Sequence, residues 1–258
     1  MLLLLPPSET KRPGGVPGSR LDLASLRFPT LTDARRRTLD AVSALAQDHD
    51  AAVAALKLGP RQHGEVAKNR VLEASPVMPA VDRYTGVLYD ALDAGGLPEP
   101  ARERLGRAAV VHSAVLGPIG ALDPIPDYRL SHDARLPGAR LKQLWAEAAA
   151  AALAREDGLI VDARSQGYSA LGPLPRRHGA VRLEVVAEDG AGRRRALNHF
   201  NKHAKGRLAR AVALASALPG TVGELIEWSR EQGLRLEAGE PAADGIVDTV
   251  TLVTAGPS

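Results

Sequence analysis

The sequence contains no cysteine, and its 258 residues hold only two tryptophans, four tyrosines and two phenylalanines. The missing cysteines exclude disulfides, thiolate metal sites and a cysteine nucleophile, as expected in a reducing cytoplasm. With aromatics at 3%, alanine, leucine and valine must fill the core. Each buries less surface than an aromatic ring, so many are needed. No apolar run approaches the roughly 20 residues of a membrane helix. The opening leucines, Leu2 to Leu5, do not read as a secretory leader, because no basic segment precedes them and Pro6 and Pro7 follow at once. Several familiar site patterns are missing too: the G-x-x-x-x-G-K-S/T phosphate loop, the G-x-S-x-G elbow, H-E-x-x-H, and a dinucleotide fingerprint at a strand–helix junction. No repeat or internal linker divides the chain, so one domain over 1–258 is expected.

What remains is a folding composition, 45% hydrophobic and 24% charged, with a formal net charge of +3. Leu2–Leu5 reads as a buried strand stopped by two prolines, which cannot donate to a ladder. A Pro/Gly-rich loop over 11–20 follows, then a helix from "LTDARRRTLDAVSALAQ" with Thr32 as N-cap. Ala109 to Val115 and "DGLIVDARS" read as short buried strands, the first followed by a long loop, with the helix "LKQLWAEAAAAALARE" between them. "AVRLEVVAED" and "RRRALNHFNK" read as a hairpin about Gly190 and Gly192. "AKGRLARAVALASAL" and "PGTVGELIEWSREQG" read as helices, the second with a Thr221/Glu224 capping box, and "GIVDTVTLV" as a closing strand. Helices and strands alternate while hairpins intervene, so the expected fold is α/β (α+β) with a mixed sheet flanked by helices.

Polar residues gather just after the apolar strands, where open α/β sheets bind ligands. Ser8, Thr10 and Lys11 follow the first strand. Ser113 is followed by Asp123, Tyr128 and Arg129, and Ser165 and Tyr168 come after "LIVDAR". "KHAKGRLAR" places Lys202, Lys205, Arg207 and Arg210 near an expected helix start, with His203 among them. Cations are disfavoured there by the macrodipole unless an anion is bound. The Leu-Pro-Gly turn between the last two helices fits a helix–hairpin–helix presenting N–H groups to nucleic-acid phosphates, and equally an ordinary αα-hairpin. No metal site or cofactor is expected: His199 and His203 are four apart, but the expected strand–helix break falls between them.

Six segments in order resemble the YaaA family of peroxide-stress proteins: "LLPPSETK", "DRYTGVLYDAL", "HSAVLGPIGALDPIPDYRL", "LKQLW", "DARSQGY" and "HFNKHAKGRLAR". The resemblance places Asp82, Tyr84, Thr85, Gly86, Ser113, Gly117, Asp123, Tyr128 and Arg129 in family motifs. The chain departs from the pattern where Gly120 replaces an arginine and Gly167 and Ser131 replace glutamates. The resemblance implies a mixed α/β fold with a positively charged cleft and a helix–hairpin–helix-like element. It further implies DNA binding tied to protection from peroxide and control of free iron. Lys202, Lys205, Arg207 and Arg210 would then contact DNA phosphates, with Ser8, Thr10, Lys11 and Arg129 lining the cleft. The alternative is an enzyme acting on a nucleotide, nucleobase or other small anion. In that reading Tyr84, Ser165 and Tyr168 donate hydrogen bonds, Arg129 and Lys202 hold the anion, and Asp123 orients Arg129 or serves as base.

Overall fold

The four leucines at the N-terminus sit at the centre of the sheet. In the computed structural model, which describes residues 1–195, 198–239 and 248–255, they form β1 (Leu2–Leu5), buried at every position. β1 pairs in parallel with β3 (Ala109–Ser113) on one side and with β6 (Ile160–Asp162) on the other. A strand flanked on both edges and covered on both faces needs an unbroken apolar run rather than alternation. The prolines end it without leaving an unused ladder donor.

The remaining strands in chain order are β2 (Met78–Pro79), β4 (Gly117–Gly120), β5 (Pro124–Ile125), β7 (Ala180–Glu188), β8 (Arg194–Arg195), β9 (Arg235–Ala238) and β10 (Asp248–Ala255). The main sheet runs β4-β3-β1-β6-β7-β10-β9, with β8 beside β7; β2 and β5 form a separate pair. Five strands from β3 to β10 are mutually parallel, and β4, β8 and β9 are antiparallel to their neighbours. The sheet is therefore mixed, as the alternation of helices with hairpins predicts.

The helices are α1 (Thr32–Leu45), α2 (His49–Ala55), α3 (Val66–Arg70), α4 (Ala80–Arg83), α5 (Val87–Leu92), α6 (Glu99–Ala108), α7 (Leu141–Leu153), α8 (Gln166–Ser169), α9 (Asn198–Leu214) and α10 (Val222–Glu231). α6 packs on β1, β3 and α9, and α9 packs on α5, β7 and β10, while α7 packs on β4 and α1. Trp145 of α7, fully buried, donates its indole N–H to the Ala114 carbonyl at 3.0 Å. It lies against Gly117, whose φ of +65° and contact with the indole ring both require glycine.

Several expected boundaries move. Thr32 is the first residue of α1 rather than its cap, and its hydroxyl bonds the Pro29 carbonyl at 2.8 Å. The strand expected to run to Val115 ends at Ser113, the loop expected beyond it contains β4, and β9 is a further strand that the sequence reading omits. The stretch "RRRALNHFNK" is not a long strand: β8 ends at Arg195, and α9 begins at Asn198. Ala204, Leu208, Ala209, Val212 and Ala213 are buried at helical spacing, and this period carries the helix back past the lysines. Thr221 does cap α10, accepting from the Glu224 N–H at 3.2 Å, while the Glu224 carboxylate takes the Gly220 N–H at 2.8 Å. α10 leans on β9, and α9 on α5 and α6.

Candidate functional site

All four tyrosines of the chain converge at the carboxyl end of β1 and β3, although they are far apart in sequence. The Tyr84 and Tyr128 hydroxyls are 2.7 Å apart, and the Tyr128 hydroxyl is 2.7 Å from Ser113 Oγ. Ser113 Oγ in turn accepts the N–H groups of Val115 and Leu116, at 3.1 and 3.0 Å. Since those two donors occupy its lone pairs, the Ser113 hydroxyl proton is free to point at Tyr128. Tyr89 stacks on Tyr84 with ring centres 5.2 Å apart and donates to the Pro6 carbonyl at 2.8 Å. Tyr168 completes the group from α8. Burial raises the pKa of all four, so the relay is one of neutral phenols.

Lys11 enters this cluster from the loop after β1. A bridge to Tyr84 and the bond from Arg12 N–H to the Arg83 carbonyl (2.7 Å) hold its backbone. Its ammonium lies 4.1 Å from the centre of the Tyr128 ring and 5.4 Å from that of Tyr84. It donates to the carbonyls of Ser8 and Glu9, at 3.2 and 3.3 Å. Ring faces and carbonyls replace its water poorly. Burial lowers its pKa from 10.5 to about 7, against the opposing attraction of Asp127. Around it, Ser8, Thr10 and Thr85 join their hydroxyls over Gly86.

Arg129 lies nearby, its peptide clamped by Asn69, which accepts from Arg129 N–H at 2.8 Å and donates to its carbonyl at 2.7 Å. Its guanidinium pairs with Glu9 at 2.8 Å. The arginine side chain is 10% exposed and the glutamate 60%, so Glu9 can swing into water and leave Arg129 to another anion.

A second polar group lies at the end of β6. Arg164 binds Asp162 through two nitrogens, at 2.8 and 2.7 Å, with both side chains buried. It also donates to the Gly172 carbonyl and to His112 Nδ1. Ser169 donates to the same carboxylate at 3.0 Å. Burial alone would raise the Asp162 pKa, but Arg164 overrides it and holds the carboxyl low. Lys205 of α9 is buried within reach of that charge, and desolvation lowers its pKa to about 8.

The expected site residues therefore divide. Ser8, Thr10, Lys11, Tyr84, Arg129 and Tyr168 come together, and Ser165 stands exposed beside Tyr168 as the residue before α8. Asp123 is elsewhere. Its carboxylate accepts the N–H groups of Arg27 and Gly120, both at 2.8 Å, so it neither orients Arg129 nor reaches the cluster as a base. Lys205 faces inward and cannot touch a DNA backbone. Arg210 is occupied by the Leu92 and Asp93 carbonyls, at 2.9 Å each, where it caps α5. Lys202 and Arg207 remain exposed, but with α9 starting at Asn198 they lie beyond its first turn, where the macrodipole effect has fallen off. The side chain of His199 lies outside the described residues. Among the described residues no three His, Asp or Glu side chains gather as metal ligands.

Glu9, Tyr89, His112, Asp162 and Arg164 are the participants that sequence reading missed. One signal was available for two of them: an Asp and an Arg directly at the end of an apolar strand, in "IVDAR".

Stability should report on the lysines. Lys11 holds its proton to 10.5 when unfolded but releases it at about 7 when folded. Between these values the unfolded chain binds more protons, so stability rises with pH. Urea unfolding at pH 7 and pH 9.5 is expected to show this rise, reduced in Lys11→Met; equal pH dependence in the two proteins would contradict it.

The model of a protein family described as "Peroxide stress protein YaaA" matches residues 1–239. The chain belongs to the YaaA family of peroxide stress proteins. Its similarity to individual members is extensive: a UPF0246 protein of Corynebacterium efficiens is 44% identical over 98% of this chain and 100% of its own length. One from Streptomyces coelicolor is 40% identical over 95% of each. Two of the glycines noted in the sequence stand where a larger side chain would meet a neighbour. At Gly167, a Cβ would lie 2.5 Å from the His132 ring, which occupies that space and stands edge-on to Tyr168 at 5.0 Å. At Gly120, a Cβ would meet the Asp123 carboxylate at 2.8 Å. Among the described residues, no helix is long and apolar enough to cross a membrane.

Proposed function

We propose that this YaaA-family protein serves peroxide defence through chemistry on a small anion, a nucleotide, nucleobase or similar metabolite, at the Lys11–tyrosine cluster. The observation that carries the proposal is the Lys11 ammonium, seated on two tyrosine faces at the end of a central parallel strand with a pKa of about 7. Such a lysine exchanges a proton near neutral pH, as acid–base catalysis requires. Arg129 supplies the anion's counter-charge when Glu9 moves aside. The Tyr84–Tyr128–Ser113 hydroxyls supply donors aligned in advance, which is how an enzyme stabilises developing negative charge.

A cytoplasmic, sequence-tolerant DNA-binding role is the second reading, favoured by one feature. His203 and Arg207 line a groove of about 350 Å³ between α9 and the ends of β9 and β10, with Arg235 opposite and Lys202 one residue before His203. This reading rests on fewer cations than the sequence offers, because Lys11, Arg129 and Lys205 are engaged inside the protein and Arg210 is tied to the end of α5. Arg235 itself is paired with Glu188 and Glu237.

Thermal melting against nucleotides, nucleobases and inorganic phosphate tests the first reading, with Lys11→Met and Tyr128→Phe alongside. A small anion that raises the melting temperature of the wild type, but not of Lys11→Met, is the expected result. Duplex DNA that binds with a steep salt slope, flattened in the double variant Lys202→Ala, Arg207→Ala, would establish the second reading. If no small anion stabilises the protein, the first reading is overturned.

A further inference from the structure

His112 of β3 is fully buried, and it has no part in the acid–base chemistry proposed for Lys11. Its Nδ1 lies 2.7 Å from an Arg164 nitrogen. Arginine can only donate, so Nδ1 must be the acceptor, and the imidazole proton resides on Nε2. The ring cannot take a second proton without setting an imidazolium against the guanidinium. Desolvation and the Arg164 charge both keep its pKa well below the ordinary 6.5. Nε2–H is therefore a permanent neutral donor, and among the described residues it is buried with no hydrogen-bond acceptor.

A buried, unpaired N–H is costly and rare. The surroundings make this one deliberate. Arg164 is bound to Asp162 and the Gly172 carbonyl, which fix the guanidinium and through it the imidazole. A Cβ at Gly172 would lie 2.8 Å from His112 Cε1, so the small residue there keeps the ring in place. The charged and titratable neighbours are Arg164, Asp162 behind it, and Tyr168, whose ring centre is 6.3 Å away. Tyr168 is thus a neighbour both of His112 and of the Tyr84–Tyr128 pair.

We infer that His112 Nε2–H is the neutral hydrogen-bond donor to a carbonyl-type oxygen of the ligand, beside Tyr168, while Lys11 and Arg129 hold the ligand's anionic end. The inference rests on the small-anion reading and narrows it to anions that carry a carbonyl oxygen. A neutral imidazole is well suited to that role. It polarises a carbonyl without the desolvation cost of a buried cation, and it gains strength as negative charge develops on the oxygen.

The test is ¹⁵N NMR of the full-length protein labelled at histidine, with pyruvate and uridine monophosphate as anions bearing a carbonyl and inorganic phosphate as one without. The expected result has two parts. His112 stays neutral with its proton on Nε2 from pH 5 to 8, and its Nε2 resonance shifts with pyruvate or uridine monophosphate but not with phosphate. His112→Phe should then weaken binding of the carbonyl anion on the order of tenfold, the value of one good hydrogen bond, leaving phosphate binding unchanged. His112→Gln, which retains a donor, should restore much of it. Anions that bind in a Lys11-dependent manner while the His112 resonance stays still would overturn the inference and leave the small-anion reading intact. Protonation of His112 near pH 6.5 would overturn it on the wild type alone. If none of the three anions binds, the small-anion reading falls and this inference with it.

Discussion

Arg83→Met is expected to cost about 3–5 kcal/mol of folding stability and to abolish ligand binding at the Lys11 cluster. Arg83 is wholly buried at the end of α4. Its guanidinium donates to the Arg12 carbonyl at 2.5 Å, the Pro76 carbonyl at 2.8 Å and the Ile125 carbonyl at 3.2 Å. Three segments distant in sequence are thus tied to one side chain. Methionine fills a similar volume and leaves those carbonyls without donors, at about 1–3 kcal/mol for each group that water cannot reach. Functionally, Arg83 directly precedes Tyr84, and its own carbonyl accepts the Arg12 N–H that anchors the Lys11 loop. Once the loop is loose, water reaches the Lys11 ammonium and its pKa climbs back toward 10.5. Equilibrium urea unfolding and the ligand melting shift read the two effects. A loss below about 1 kcal/mol would show that Arg83 is dispensable as a tie. Arg83→Lys keeps the charge but not the fork of donors, and should fall between the two.

Gly206→Val is expected to destabilise by about 3 kcal/mol or more and to expose Lys205. Gly206 sits within α9, where glycine is otherwise a poor choice. A Cβ there would run into the Leu88 carbonyl of α5 and lie 2.7 Å from Ala91 Cβ. A helix backbone cannot yield as a flexible side chain can, so α9 must lift from α5. Overpacking of a close helix contact costs typically 1–3 kcal/mol, and the β-branched valine adds its own penalty. Lifting α9 hydrates Lys205, whose pKa of about 8 depends on burial. Its modification by an amine reagent at pH 8 gives a second measurement. A variant as stable as wild type, with Lys205 still protected, would refute the packing argument.

Leu2–Leu5 was readable as a central strand because four consecutive apolar residues can be satisfied only by burial on both faces. Lys11 was readable as a residue of the sheet's carboxyl edge because it lies in the loop that ends such a strand. The capping of α10 was also local: Thr221 and Glu224 need only each other and one turn of backbone. The start of α9 was not legible. Alternation and helical period compete over a short window at "RRRALNHFNK", and packing against α5 decides between them. The DNA-contact reading of Lys205 and Arg210 failed for the same reason. A basic side chain has the same symbol whether it faces solvent, caps α5 or lies buried within reach of Asp162.

The sequence by itself determined the class of fold, the central strand and the YaaA-family membership, since these depend on local pattern and on the order of motifs along the chain. The tertiary structure alone decided which polar residues share a site. Tyr84 meets Tyr128, Glu9 meets Arg129, and His112 meets Arg164 across separations of 44, 120 and 52 residues. No local rule encodes such pairings. They arise because parallel strands deliver their ends to one edge of the sheet, where burial and neighbouring charge give Lys11, Lys205 and His112 acid–base properties that their free side chains do not have.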